Sequence, residues 1–152
     1  MEKIKIFIQK LPGNEDLPLP QYMTDQAAGM DIFAAVTEEE IILPGQRKKI
    51  ANGIAIALPE NYEAQIRPRS GLPLKYSLTL LNTPGTIDWD YRGVIKDIVI
   101  NLGDKEYILH RGAGIAQMIF NRVEKAELVE VERLHVTNRG SGVFGHKGSS
   151  VP

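Results

Sequence analysis

Apolar and polar residues alternate with a period of two along most of this chain, and this pattern constrains the fold more than any other feature. The isoleucines of residues 4–8 share one side of the first such stretch, and residues 50–58 repeat the pattern after a Pro-Gly turn. Because successive side chains of a strand point to opposite faces of a sheet, the period predicts β-strands. Further strands are predicted at residues 76–80, 94–100, 107–109, 115–120 and 126–131.

Turn signals separate these strands, and the only helix predicted is a single turn at residues 72–75. Many short strands without interleaved helices indicate a sandwich or a barrel, so the predicted fold class is all-β. A chain of 152 residues with 43% hydrophobic residues is long enough to bury a core. We therefore predict one domain over residues 1–136.

Residues 137–152 differ from the predicted domain, since they are rich in glycine and poor in apolar side chains. Such a segment cannot contribute to a core, and two interpretations stay open. It is either a disordered terminus or an arm that closes over a phosphorylated aromatic ligand with its basic residues and its one aromatic residue, Phe144.

The composition excludes several classes of function. A net charge of −1 argues against a general nucleic-acid binder, so no nucleic acid polymer is predicted as a partner. The absence of cysteine excludes disulfides and thiolate metal sites, and three histidines are too few for a His-rich zinc site. No apolar run approaches the ~20 residues that span a bilayer, so no membrane is predicted as a partner. The charged, alternating N-terminus is not typical of a signal peptide, and the predicted location is cytoplasmic.

Two polar segments contain residue types that suit a phosphorylated ligand. Asp31 lies between small and apolar residues, and is either a surface carboxylate or one held near a hydrated divalent cation. In residues 67–71, two arginines flank a proline, and Ser70 and Gly71 follow at the start of the predicted helical turn. Guanidinium, hydroxyl and free N–H groups all suit phosphate oxygens, although a solvated basic turn has the same composition.

The most informative stretch is residues 82–93, Asn-Thr-Pro-Gly-Thr-Ile-Asp-Trp-Asp-Tyr-Arg-Gly, which predicts a hairpin with Pro-Gly at its bend. Asp88 and Asp90 would point to the same side of a regular strand, where one pKa could be perturbed, although solvent-facing strand acids are common. Gln117 is a polar residue within an otherwise apolar strand. It is either a structural bridge or a ligand contact.

Taken together, in this order and spacing, these segments resemble the trimeric dUTP diphosphatase (dUTPase) family. The matching motifs are Ala-Gly-x-Asp, Arg-Pro-Arg-Ser-Gly, Gly-x-Ile-Asp-x-Asp-Tyr-Arg-Gly, Ile-Ala-Gln and Arg-Gly-x-Gly-x-Phe-Gly. The resemblance implies a jelly-roll-like β-barrel and a homotrimer in which each active site takes motifs from more than one subunit. It also implies that residues 137–152 form a flexible arm that closes over an active site.

The resemblance further implies a reaction, in which dUTP is hydrolysed to dUMP and pyrophosphate. Asp88 would be the general base that activates a water for attack on the α-phosphorus. Mg²⁺ would bridge the triphosphate, with Asp31 acting on it through bound water. The residues expected to bind substrate are Arg69, Ser70, Gly71, Asn82, Gly85, Thr86, Ile87, Tyr91, Gln117, Arg139, Phe144 and Gly145.

Several of these residues have distinct expected roles. The hairpin backbone and Asn82 would meet the edge of uracil, and Tyr91 would pack beneath the deoxyribose and exclude a 2′-hydroxyl. Phe144 would stack on the uracil, and Arg139 would meet the terminal phosphate. Ser70 and Gln117 match phosphate ligands of the family.

The chain departs from the family pattern at three places. Gly114 stands where the family usually has arginine before Ile-Ala-Gln, and Val143 replaces the glycine before Phe144. His146 and Lys147 stand where Ser-Thr is usual. These departures affect individual contacts rather than the reaction type. Two other hypotheses are a dCTP deaminase-like enzyme of the same fold and a catalytically silent trimeric binding module.

Overall fold

The structure, a computed structural model, describes residues 2–144, and strands dominate it. In this part of the chain there is one helix, α1, at Gly71–Tyr76, which confirms the predicted helical turn. The strands, in chain order, are β1 Phe7–Lys10, β2 Met30–Phe33, β3 Glu40–Ile42, β4 Arg47–Ala51, β5 Ile54–Ala57, β6 Tyr62–Pro68, β7 Leu78–Leu80, β8 Gly85–Ile87, β9 Lys96–Asn101, β10 Tyr107–Leu109 and β11 Gly114–Arg122. The predicted all-β class is confirmed.

The strands form four antiparallel sheets. The largest has the order β2-β11-β6-β8, the second has the order β4-β9-β7, and two pairs, β1-β5 and β3-β10, complete the set. Across residues 2–144 the ladders do not join into one closed hydrogen-bonded barrel. The sheets instead pack their apolar faces against each other.

The strand β9 shows how burial alternates along a strand in this fold. Asp97, Val99 and Asn101 are buried, whereas Lys96 is exposed and the intervening isoleucines are half-buried. The same pattern in other strands directs one face of each inward. Fully or almost fully buried apolar residues at the centre of the resulting core include Ile32, Ala34, Ile42, Ala64, Ile95, Leu109, Ala116 and Met118.

Three buried polar residues, Asn101 and the pair Asp97 and Asn52, lie in this apolar interior. Asn101 is fully buried and its amide donates to the carbonyls of Ile42 and Lys105 at 2.9 and 2.7 Å, while its oxygen accepts from the N–H of Gly103. Asp97 and Asn52 pair at 2.9 Å. Asn101 therefore joins β9 to β3 and to the turn before β10, a role that its sequence position alone did not indicate.

The predicted strand at residues 126–131 is wrong. The last strand ends at Arg122, and Leu128 and Val129 are 92% and 74% exposed. No strand within residues 2–144 pairs with this segment, so its apolar residues are not packed against a sheet. Alternation predicts a strand only where a neighbour supplies the second side of the ladder.

Strand boundaries and one connection also differ from the predictions. The first strand begins at Phe7, and the strand predicted at 76–80 begins at Leu78 because the left-handed Ser77, with φ 54°, ends α1. The prediction of a hairpin over residues 82–93 is wrong, because the two sides of this segment do not pair with each other. Its strand β8 pairs with β6, whereas the preceding β7 pairs with β9 in another sheet.

Across residues 2–144, no helix is long and apolar enough to cross a bilayer.

Candidate active site

Four of the predicted site residues, Asp31, Arg69, Ser70 and Gln117, meet where β2, β11 and β6 lie side by side; we call them the Arg69 cluster. Asp31 on β2 is opposite Gln117 on β11. The carboxylate of Asp31, a buried residue, is 3.3 Å from Nη2 of Arg69, whose side chain is 41% exposed. A guanidinium has five N–H donors, and only two are used within this part of the fold, so the others can meet an anion.

Gln117 is held in place from both sides. Its amide nitrogen donates to the carbonyl of Pro68 at 2.9 Å. A Cβ added to Gly29 would come within 2.5 Å of the Gln117 side-chain oxygen, so the glycine leaves the space that this amide occupies. The two interpretations left open for Gln117 are therefore compatible, since it bridges β11 to β6 and stands beside Arg69.

Ser70 and Gly71 mark the start of α1 and are both exposed. The Ser70 hydroxyl makes no capping hydrogen bond to the helix. Its hydroxyl, the first N–H groups of the helix and the Arg69 guanidinium are thus adjacent donors, a combination that suits phosphate oxygens.

A second group of predicted residues surrounds a cleft of about 220 Å³, which we call the Asp88 pocket. Asp88 and Tyr91 are both exposed, and a larger cleft of about 530 Å³ continues on the other side of Asp88, past Trp89 and Glu63. Two residues of the smaller cleft, Val94 and Lys96, were not among the predicted site residues, and no motif of the sequence marked them. The lining residues are Thr86, Ile87, Asp88, Tyr91, Val94 and Lys96.

A tight turn fixes the position of Asp88. The strand β8 ends at Ile87, and the N–H of Tyr91 donates to the Asp88 carbonyl at 3.1 Å. The expectation that Asp88 and Asp90 point to the same side of a regular strand is therefore wrong, because both belong to this turn. Arg92, which was not among the predicted site residues, donates to the carbonyls of Trp89 and Tyr91 at 2.6 and 3.1 Å and so stabilises the turn.

Tyr91 is also constrained. Its hydroxyl donates to the carbonyl of Val94 at 2.9 Å, and a Cβ on Gly93 would come within 2.5 Å of that hydroxyl oxygen. Because the hydroxyl is occupied and the residue is 43% exposed, the ring presents an apolar face to the pocket.

The strand β8 supplies Gly85, Thr86 and Ile87. It is the last strand of its sheet, and within residues 2–144 only one of its edges is paired, with β6. The exposed Asn82 lies over Gly85, since its amide nitrogen is 3.6 Å from the position of a Cβ on that glycine. An edge strand with an adjacent amide offers both donors and acceptors to a planar polar ligand.

The Arg69 cluster and the Asp88 pocket lie at opposite ends of β6. Ile87, which precedes Asp88, is opposite Ala64, whereas Arg69 follows the last residue of the strand. At about 3.3 Å per residue, the separation along the strand is roughly 15–20 Å. One chain therefore does not bring the predicted base next to the predicted phosphate ligands.

The described part of the C-terminal segment has neither helix nor strand. Phe144 is 97% exposed, and the Arg139 side chain donates to the carbonyl of Gly142 at 2.7 Å. Neither residue is brought to the pocket of its own chain by a hydrogen bond or by burial. Gly145, His146 and Lys147 lie outside the described residues.

The residues of the Arg69 cluster suit a metal ion that is bound mainly by a substrate rather than by the protein. Within residues 2–144, no three acidic or histidine side chains are grouped to hold an ion. Asp31 is the only carboxylate of the Arg69 cluster. Mg²⁺ commonly keeps several waters and binds through one or two carboxylates plus substrate phosphates, and this donor set is consistent with such a site.

Comparison with known proteins identifies the family. The family model described as dUTPase matches residues 15–148. The deoxyuridine 5′-triphosphate nucleotidohydrolase of Thermoanaerobacter sp. (strain X514) is 57% identical over 141 residues, which are 93% of this chain and 95% of that protein. The protein of the same name from Caldanaerobacter subterraneus subsp. tengcongensis is 54% identical over 145 residues, covering 95% and 98%.

Solved structures show the same fold. A mutant dUTPase of Staphylococcus bacteriophage 80alpha, solved with dUpNHpp, has a TM-score of 0.86 at 24% identity and covers 96% of this chain and 99% of its own. A mutant dUTPase from phage phi11 of S. aureus, whose structure describes a structural Mg(II) ion, has a TM-score of 0.76 at 22% identity, covering 86% and 98%. The fold is thus the jelly-roll-like fold of these proteins, and the family match over residues 15–148 shows that this chain belongs to the dUTPase family.

Proposed function

We propose that this chain is a dUTP diphosphatase, which hydrolyses dUTP to dUMP and pyrophosphate. The observation that carries the proposal is the Asp88 pocket, where a carboxylate and an apolar tyrosine face adjoin a strand edge with free backbone groups. Family membership supports the diphosphatase function over the two alternatives, a dCTP deaminase-like enzyme and a catalytically silent binding module.

The active site is proposed to be complete only in a homotrimer. Within one chain, the Arg69 cluster lies at the far end of β6 from the Asp88 pocket, so the predicted base and the predicted phosphate ligands do not meet. A second copy that presents its Arg69 cluster to this pocket would join base recognition to phosphate binding. A closed threefold arrangement repeats such a contact three times with identical surfaces.

In the proposed mechanism, the Asp88 carboxylate accepts a proton from a water as that water attacks the α-phosphorus of dUTP. The new bond forms between the water oxygen and phosphorus, and the bond to the bridging oxygen breaks, so pyrophosphate leaves with dUMP as the other product. The hydrogen bonds from Arg92 stabilise the turn that carries Asp88, so the backbone position of the base is set before substrate arrives, which favours general-base catalysis.

Base and sugar selection are assigned to β8 and Tyr91. Uracil has an acceptor–donor–acceptor edge, which the free edge of β8 and the Asn82 amide can match. Cytosine has a donor–acceptor–acceptor edge, which reverses the pattern at two positions, and the 5-methyl group of thymine needs space that a backbone-lined cleft lacks, so both are disfavoured. The Tyr91 ring, fixed through Val94, would pack beneath the deoxyribose and exclude a 2′-hydroxyl.

Arg69, Ser70, Gly71 and Gln117 are proposed to bind the phosphates. Mg²⁺ on the triphosphate would reduce its negative charge and fix its conformation. Asp31 would accept a hydrogen bond from a water of that ion.

Residues 137–152 are proposed to form an arm that closes over an active site. The 97% exposure of Phe144 leaves its ring available to stack on uracil, and Arg139 would meet the terminal phosphate. The domain boundary at residue 136 and the cytoplasmic location remain predictions.

The proposal can be tested by measuring pyrophosphate release from dUTP, UTP, dTTP and dCTP in parallel, with and without Mg²⁺. We expect dUTP alone to be cleaved efficiently. Asp88→Asn should lower turnover by at least ~100-fold while the Kd of a non-hydrolysable dUTP analogue stays within a few-fold, because the base acts only in the chemical step.

The matched variant is Asp90→Asn, which removes the neighbouring carboxylate from the same turn. Its turnover should exceed that of Asp88→Asn by at least about tenfold. Equal losses would contradict the assignment of the base to Asp88 alone, and ammonia release from dCTP without cleavage of dUTP would refute the diphosphatase function.

A further inference from the structure

Gly114, one of the departures from the family pattern, lies directly against the Arg69 side chain. Nη1 of Arg69 donates to the Gly114 carbonyl at 3.0 Å. A Cβ atom built on Gly114 would overlap the same nitrogen. Any residue other than glycine would therefore displace the guanidinium from its present position.

The reason for glycine at this position is space rather than backbone conformation. Gly114 is not among the glycines with positive φ, so its backbone is open to any residue. It opens β11, where the register with β2 shifts between Gly114 and Ala116, and the Phe33 ring is the next nearest group at 3.9 Å from the added Cβ. The Arg69 guanidinium is thus the group that occupies the space of a Cβ at this position.

The guanidinium is held on two sides as a result. Asp31 pairs with Nη2 at 3.3 Å from β2, and the Gly114 carbonyl accepts from Nη1 on β11. One hydrogen bond and one ion pair, to acceptors on different strands, restrict an otherwise flexible side chain, and a restricted fork loses less conformational entropy when it binds phosphate.

We propose that Gly114 is a positioning residue for substrate binding. Because Gly114 has no side chain, the Arg69 guanidinium can lie against β11 and direct its remaining N–H groups to the triphosphate. This inference rests on the proposed dUTP diphosphatase activity. An arginine at residue 114 would exclude this position of the guanidinium because of its Cβ, so the arrangement requires glycine there.

The test is Gly114→Ala, measured by steady-state kinetics with dUTP. We expect KM to rise about tenfold and kcat to change less than about threefold, because the lost contact serves ground-state and transition-state binding alike. Arg69→Ala should raise KM at least as much. In the Arg69→Ala background, adding Gly114→Ala should change KM by less than twofold, since the glycine acts only through the arginine.

Thermal unfolding of the same four proteins separates positioning from a general packing role. Gly114→Ala should lower Tm when Arg69 is present. It should leave Tm unchanged in the Arg69→Ala background, where the added methyl group has room. A cost in KM or Tm that persists in the Arg69→Ala background would overturn the inference, as would a Gly114→Ala enzyme with unchanged KM. Failure of the wild-type chain to cleave dUTP would refute the proposed function instead.

Discussion

The buried residue Asp97 allows a test of how much an ionised side chain destabilises this core. The residue is 2% exposed on β9, and burial raises the pKa of its carboxyl from 3.8 to about 6, with the hydrogen bond from Asn52 opposing the rise. Two buried oxygens, Oδ1 of Asp97 and Oδ1 of Asn52, have no hydrogen-bond partner. At neutral pH the ionised side chain is therefore a cost to folding.

The sign of the pH dependence follows from linkage. Because the folded pKa lies above the unfolded value, the folded protein binds more protons between pH 3.8 and about 6. The contribution of Asp97 to the free energy of unfolding is thus most favourable below pH 3.8, falls as the pH rises through this window, and is constant above it. This rise in the pKa of Asp97 lowers the free energy of unfolding at neutral pH by at most about 3 kcal/mol.

The variant Asp97→Asn removes the charge at nearly constant volume. Its amide oxygen, placed at the former Oδ2, can keep the hydrogen bond that the Asn52 amide donates. We expect the free energy of unfolding at pH 7.5 to rise by about 1–3 kcal/mol and the gain to fall close to zero near pH 3.5, where the wild-type carboxyl is neutral.

The measurement is urea unfolding at several pH values and one fixed protein concentration, because the proposed assembly would make stability depend on concentration. Asp104→Asn, at an exposed turn residue, carries the same charge change and should leave the stability difference close to zero at every pH. A gain for Asp97→Asn that is independent of pH, or a loss at pH 7.5, would show that the ionised Asp97 carboxylate does not destabilise the fold.

Two further predictions concern the core and the C-terminal segment. Asn101→Ala should lower the free energy of unfolding by about 3 kcal/mol in chemical denaturation, since one buried and two partly buried backbone groups lose the side chain that bonds them; a loss below about 1 kcal/mol would show that water replaces the amide. Deleting residues 138–152 should preserve the unfolding transition but abolish most dUTP turnover, because the described part of this segment is exposed and outside every strand. Full activity of the shortened chain would exclude a catalytic role for the arm.

The local features of the fold could be predicted from the sequence because they depend on neighbouring residues. Alternation identified the β-rich class and the approximate position of most strands, and Gly71 with the residues after it indicated α1. The same signal failed at residues 126–131, because a strand also needs a partner, which no local pattern supplies. The hairpin over residues 82–93 failed for the same reason, since β7 and β8 pair in different sheets.

The residue types of the candidate site were determined by the sequence itself, because motif order and spacing identify the family before any coordinates are known. Tertiary structure alone decided which of these residues meet. It placed Asp31, Arg69 and Gln117 together across three strands and put Asp88 at the far end of β6. It also showed that Gly114 makes room for Arg69 and that Asp97 is buried without an opposite charge. Such contacts join residues that are distant in sequence, and they arise only when the sheets pack against each other.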